Sequence, residues 1–203
     1  MSFFKKIFNN VVENFTDDNH KHEEDIVASE NTQLLSIDEK FIINFKKNGG
    51  KFIYCENKTE LNEQFENVLE ENDWFETEAI CFEPQLAPFL EENNIQFKDV
   101  ENPLFFITSC ENLLADDGSI LFTSNQIKQK KSAELPENII IIATASQIIK
   151  NIDEGLEVIR KKYVTNYPTN ITTFKYFEKS KEEDFLNYGK CPKNLYLLLL
   201  EDF

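Results

Sequence analysis

Glu111, Asp116 and Asp117 bring three carboxylates into one short stretch, Ser109-Cys110-Glu111-Asn112-Leu113-Leu114-Ala115-Asp116-Asp117-Gly118-Ser119. Carboxylates on both sides of a turn are the groups needed for general acid–base work, or for an acyl intermediate held on a carboxylate. Glu111 and Asp116 are accordingly the candidate catalytic residues. Gly118 allows a backbone angle that other residues resist, and Ser119 offers a hydroxyl. Lys128 and Lys131, with Lys130 between them, are placed to attract a carboxylate or phosphate toward Gly118. Asp117, Gly118, Ser119, Lys128 and Lys131 thus form a candidate ligand set for a small organic anion. The plainer alternative stays open: Asp and Gly favour turns, so Asp116, Asp117 and Gly118 would simply close one, and the lysines would be solvated.

Other reactive side chains are less well placed. Cys110 has no histidine near it in sequence and reads as a buried, inert thiol. The four cysteines, Cys55, Cys81, Cys110 and Cys191, are far apart and form no CxxC pair, so neither a disulfide framework nor an iron–sulfur or zinc site is expected. His20 and His22 sit among Asp17, Asp18 and Glu23, but a tether without supporting neighbours is a poor metal site, and no metal or cofactor is expected.

The elements that would position the acidic stretch follow from periodicity. Apolar runs at Leu104–Thr108 and Ile120–Thr123 read as strands on either side of it, making it a turn at a strand end, where α/β sheets hold ligands. Upstream, the pattern predicts a helix over 34–48, a Gly49-Gly50 stop, a strand over 51–55, a helix over 59–72 and a strand over 78–82. A helix over 85–93 and a short strand over 96–100 follow. Downstream, the β-branched run at 138–143 suits a strand buried on both faces. Residues 144–163 read as one long helix capped by Thr144 or Ser146, with strands over 171–177 and 195–200 to finish. Such alternation predicts an α/β fold with a mostly parallel sheet flanked by helices.

Ahead of this domain, residues 1–15 place Phe3, Phe4, Ile7, Phe8, Val11, Val12 and Phe15 at helical spacing, an amphipathic arm. Its expected role is packing on its own domain or docking on a partner; membrane contact is not expected, since only two lysines favour it. Residues 16–33 are polar and acidic, a flexible tether. The domain itself is expected over 34–203.

Composition narrows the classes. The 203 residues suit one domain, and 41% hydrophobic content with 19 Phe supports a Phe- and Ile-rich core. With 21 basic against 37 acidic residues, nucleic-acid binding is not expected, because phosphate neutralisation supplies that affinity. The acidic excess is concentrated in residues 1–103, while 104–203 is close to neutral and more favourable for an anion. No run of about 18 apolar residues is present to span a bilayer, and no signal peptide is read, so a cytoplasmic protein is expected.

Leu114-Ala115-Asp116-Asp117-Gly118-Ser119 resembles the I-A-E-T-G-T signature of the lactate-utilisation (LUD) domain family. Ser132–Ile142 is similar to that family's S-L-L-P-x-x-H-I-A-V-V stretch, with Leu135-Pro136 in place. Gln147–Leu156 falls where the family has a helix, and 170–184 where it has a serine- and threonine-rich segment. The stretch 188–200 resembles the family ending through Gly189, Pro192, Leu195 and Leu198. The chain departs from the pattern at Asp116-Asp117, at 175–181 and at both histidines of the final segments. The resemblance implies a fold like that of the sugar-phosphate isomerase and coenzyme A transferase group and a role near lactate oxidation. Without a cysteine cluster the chain is closer to the cluster-free subunit of such a system, with an iron–sulfur subunit as the implied partner.

Three functions stay open at this point. One is an accessory protein of lactate or hydroxyacid utilisation that binds a small organic anion near 109–119. Another is a stand-alone transferase or isomerase using the carboxylates of that turn. The third is a non-catalytic interaction module.

Overall fold

The computed structural model describes residues 35–177 and 194–202. The arm and the tether, with His20 and His22, and the positions Tyr188, Gly189, Cys191 and Pro192, lie outside the described residues.

Ser36 starts the first helix, α1 (Ile37–Lys47), through a reciprocal cap. Its hydroxyl accepts the Glu39 amide at 3.3 Å, while the Glu39 carboxylate accepts the Ser36 amide at 2.8 Å. Two amides that a helix start leaves open are thereby satisfied. Phe41, Ile42 and Phe45 recur at helical spacing and form its buried face. Gly49, at φ 87°, then turns the chain. There follow β1 (Lys51–Cys55), α2 (Lys58–Asn72), β2 (Ala79–Cys81), α3 (Ala87–Glu92), β3 (Phe105–Thr108), β4 (Asn112–Leu114), β5 (Ser119–Thr123) and α4 (Ser124–Ile127). After them come β6 (Asn138–Thr144), β7 (Ile148–Ile149), α5 (Ile152–Lys162), β8 (Ile171–Phe174) and β9 (Asn194–Leu200).

Five strands form one sheet in the order β1-β9-β6-β3-β2, with every neighbouring pair parallel. The α/β class and the parallel sheet are as the alternation predicts. β6 sits in the middle with Ile139 and Ile141 toward one face and Ile140 toward the other, so its apolar run is continuous rather than alternating. On one face Leu61, Phe65, Val68 and Leu69 of α2 and Leu90 of α3 pack against Phe105, Ile107, Ile140, Tyr196 and Leu198. The other face is covered by α1 and by a second sheet in the order β7-β4-β5-β8. Beyond that sheet lies α5, whose Ile159 packs on Leu114, Leu121 and Ile149. Phe41, Phe45, Phe65, Phe105, Phe106 and Phe122 are fully buried, each contributing about 1.5–3 kcal/mol relative to exposure.

Several expectations are corrected. The stretch 109–119 is not one turn between two strands: Asn112–Leu114 within it is itself a strand, antiparallel to Ser119–Leu121, and β3 and β5 belong to different sheets. The single helix over 144–163 is broken. Ile148 and Ile149 pair with Leu113 and Leu114 as β7, and the helix begins only after Asn151, whose side chain accepts the Glu154 amide at 3.2 Å. Its cap is therefore Asn151, not Thr144 or Ser146. Helical spacing could not separate these cases, because the two isoleucines are buried either way and strand pairing is decided by a distant segment. Finally, the strand over 96–100 reduces to one bridge between Glu78 and Gln96, and the strand over 171–177 ends at Phe174.

Candidate functional site

All five parallel strands end on one edge, and the first residues beyond them carry the polar chemistry of the large sheet. Past β2 stands Glu83, only 8% exposed. Its carboxylate accepts the Thr108 hydroxyl at 2.8 Å, the Ser109 amide at 2.7 Å, the Ser109 hydroxyl at 2.5 Å and the Gln85 amide at 2.9 Å. The buried carboxylate thus has several hydrogen-bond donors, as burial of an ionised group demands. Past β6 and β9, the Asp202 carboxylate accepts the Ser146 amide at 2.9 Å and its hydroxyl at 2.5 Å, with Thr144 Oγ1 3.1 Å from Ser146 Oγ. Burial pushes the Asp202 carboxyl up, but hydrogen bonds from Ser146 and Thr144 outweigh it and hold it below the ordinary aspartate range. At the β1 end of this row, the Tyr54 hydroxyl donates to Glu201.

Lys128 stands at the same edge. Its backbone has φ 57° and ψ −132°, a region that L-residues other than glycine avoid at a cost of about 1–3 kcal/mol. The side chain carries its ammonium over the Phe82 ring, 5.8 Å from the centroid, and Phe82 immediately precedes Glu83. Phe82, Phe106 and Ile127 all pack on the face shared with the second sheet. Thr108 follows Phe106 by two residues in β3 and so points to that face as well. Glu83, Thr108 and Ser109 are joined at the ends of β2 and β3, and Lys128 reaches Phe82, the residue before Glu83.

Glu111 and Asp116, the sequence-derived catalytic pair, are in different surroundings. The Glu111 side chain is 1% exposed and receives Lys162 Nζ at 2.8 Å, the Tyr163 hydroxyl at 2.7 Å, Gln126 Nε2 at 2.9 Å and the Thr123 hydroxyl at 3.0 Å. Burial pushes its carboxyl up, but the hydrogen bonds from Lys162, Tyr163 and Gln126 outweigh it and leave Glu111 below the ordinary glutamate range. These contacts tie the end of α5 to the β5–α4 corner. Asp116 pairs with Lys40 of α1 at 2.5 Å, and that hydrogen bond holds its carboxyl below the aspartate range.

The hairpin residues contact mainly α1 and one another. Asp117 accepts the Ser119 hydroxyl at 2.6 Å and amide at 3.1 Å, and lies 3.4 Å from Lys175 Nζ. Asn44 and Asn48 of α1 donate to the carbonyls of Ala115 and Asp117, each at 2.8 Å. Gly118 has φ 68°, and a Cβ there would come within 2.4 Å of the Asn44 and Phe45 backbone. Ser119 is 2% exposed. Lys131 begins a short 3-10 turn over Ser132–Glu134, where its amide donates to Glu134 at 2.7 Å. Of the candidate ligand set, Lys128 alone is drawn into the strand-end group described above.

Glu83, Thr108 and Asp202 are strand-end groups without a signal in the sequence reading, and Thr144 and Ser146 carry one only as helix caps. The strand-end rule, applied to every parallel strand rather than to one, finds them all. Cys110 is buried; burial together with the neighbouring Glu111 and Glu83 charges pushes its thiol up, and Cys55 is pushed up to about 12, so both have the chemistry of packed thiols. Among the described residues no group of three His, Cys, Asp or Glu is placed to hold a metal ion, and no helix is long and apolar enough to cross a membrane.

A wholly parallel five-stranded sheet covered on both faces, with polar groups at the strand ends, defines an α/β protein. The LUD-domain family model matches residues 39–200, and the chain belongs to that family, which is associated in general with lactate utilisation. A solved structure of a DUF162-family protein from Deinococcus radiodurans has the same fold. It is 15% identical, the likeness covers 83% of this chain and 99% of that one, and the TM-score is 0.58. No curated protein matches the chain.

Proposed function

We propose that this protein is an accessory component of lactate or related hydroxyacid utilisation that binds a small organic anion where the 109–119 segment begins, at the ends of β2 and β3. The carrying observation is Lys128, held in a strained backbone conformation with its ammonium over Phe82, the residue before the Glu83 that binds Thr108 and Ser109. Strain of this kind persists only where the surroundings impose it, and it is typical of ligand clamps. Lys128 supplies the charge for a carboxylate, and the neighbouring hydroxyls supply the polar contacts that fix orientation. Oxidation of a hydroxyacid releases two electrons, and in this reading a separate iron–sulfur subunit receives them. A stand-alone transferase worked by Glu111 and Asp116 draws no support from the geometry, since both carboxylates already hold protein cations.

Thermal shift with sodium lactate, against sodium chloride at equal ionic strength, tests the reading. A ligand that binds only the folded state raises Tm, by about 2.7 kcal/mol of added stability at a hundredfold excess over Kd. Lys128→Gly is the informative variant: removing the strain should stabilise the unliganded protein by about 1 kcal/mol, while the lactate-dependent rise disappears. A full rise in Lys128→Gly would sink the assignment.

A further inference from the structure

The chain is acidic as a whole, with a net charge of −16, yet one corner of the fold is basic. Residues 158–170 carry Arg160, Lys161 and Lys162 and no acid, and residues 124–133 carry Lys128, Lys130 and Lys131 and no acid. The fold brings the two stretches together. Lys162 Nζ and Gln126 Nε2 share the Glu111 carboxylate, at 2.8 and 2.9 Å, and the Ser124 amide donates to the Asn170 carbonyl at 2.9 Å. Among the described residues, Arg160, Lys161, Lys130 and Lys131 enter no salt bridge. Large apolar side chains stand in the open in the same stretch, Val164 at 84% exposure and Tyr167 at 49%, with Val158 exposed as well. Exposed apolar side chains rimmed by polar ones mark a surface that something covers.

The same chain holds a segment of complementary chemistry. Residues 16–33 carry six carboxylates against Lys21 alone, and Glu23-Glu24-Asp25 runs directly into Ile26-Val27. Reach permits the contact. The described residues resume at the start of α1, whose Lys40 holds Asp116, and the Asp116 amide donates at 2.9 Å to the carbonyl of Lys150, just ahead of the Asn151 cap of α5. From there the 11 residues of α5 rise about 16 Å to the basic corner, while residues 28–35, extended, span up to about 26–29 Å.

We infer that the segment Glu23–Val27 docks on this corner of its own chain, its carboxylates on Arg160 and Lys161 and its Ile26 and Val27 on Val164 and Tyr167. Surface ion pairs are individually weak, but attachment to the same chain makes the contact intramolecular and holds the segment at about millimolar effective concentration. The docking uses none of the groups at the ends of β2 and β3 and stands independently of the anion site.

Zero-length carbodiimide cross-linking of the full chain, mapped by mass spectrometry on a mixture of light and isotope-labelled protein, tests the inference. The reagent joins a lysine amine to a carboxylate in contact with it, and the Lys40–Asp116 link, fixed by the fold, serves as the reference yield. Lys161 should link to Glu23, Glu24 or Asp25 within single chains. In Arg160→Glu, which leaves Lys161 as reporter, the yield of that link should fall at least about threefold, as expected for loss and reversal of exposed ion pairs. Adding Glu24→Arg to Arg160→Glu exchanges the charges and should restore links from Lys161 to Glu23 or Asp25. Absence of these links in the unaltered chain, or links undiminished in Arg160→Glu, overturns the inference. Links found only between light and labelled chains overturn it too and give the corner to a second copy; absence of links with sedimentation on phosphatidylserine vesicles gives it to a lipid surface.

Discussion

The two ends of the 109–119 segment share composition but not surroundings. At its far end, Asp116, Asp117, Gly118 and Ser119 form a hairpin tip fastened to α1: Lys40 takes one carboxylate, Asn44 and Asn48 take carbonyls, and Gly118 sits against the helix backbone. At its near end, Ser109 stands past the end of a central parallel strand, clamped by Glu83, whose preceding residue Phe82 lies under the Lys128 ammonium. The difference teaches that a carboxylate in a turn is defined by the element behind it. Where a helix side chain supplies the counter-charge, the carboxylate serves assembly; at a strand end, the Glu83 carboxylate instead gathers the hydroxyls of the neighbouring strand. Resemblance to the family signature therefore reads first as a packing requirement, because its glycine is where a hairpin and a helix come closest.

The sharpest way to break this contrast is Gly118→Ala. Its methyl would meet α1 backbone at 2.4 Å with φ at 68°, and neither a helix backbone nor that angle yields easily. A loss of about 3–5 kcal/mol is expected, seen as a Tm fall of about 6–20 °C for a chain of this size. A near-neutral result would show that the hairpin is not locked to α1.

Glu111→Gln should come next, at about 1–3 kcal/mol. It removes the charge that Lys162 pairs with, but Lys162 is 53% exposed and can rehydrate, so the full penalty for an orphaned buried ion does not apply. The same residue predicts an acid dependence. The fold holds Glu111 below its ordinary pKa, so its contribution is complete above that ordinary value and is lost as pH falls through the depressed one. Chemical denaturation between about pH 6 and 3 should therefore show the unaltered protein losing more stability than Glu111→Gln. Parallel curves would mean that the Lys162 and Tyr163 contacts do not form in solution.

Asp116→Asn should matter least. Its ion pair with Lys40 is at the surface, with both side chains about a third exposed, and such pairs contribute roughly 0.2–1 kcal/mol. Added salt should erase most of the difference between Asp116→Asn and the unaltered protein. If lactate still raises Tm in Asp116→Asn while failing to do so in Lys128→Gly, the two ends of the segment are functionally separate; the reverse pattern would return the ligand to the hairpin.

Much of this was legible in the residues. Helical spacing at Phe41, Ile42 and Phe45, the Gly49-Gly50 stop and the continuous apolar runs of β6 and β9 led directly to a parallel α/β sheet, because burial on both faces leaves no room for alternation. Lys128 was picked out by its charge close to the acidic segment. Glu83 was not: it follows a strand just as Ser109 does, but as a lone carboxylate it lacks the clustering that marks 109–119.

By itself, then, the sequence determined the class of fold, the order of most of its elements and the family to which the chain belongs, since periodicity and signature residues are local properties written in consecutive positions. Only the tertiary structure decided which carboxylates are already spent on Lys40 and Lys162, that Ile148 and Ile149 pair as a strand, and that Glu83 reaches across to Ser109. Each of those depends on segments far apart in the chain coming within hydrogen-bond distance, and no spacing rule in one stretch records where another stretch will lie.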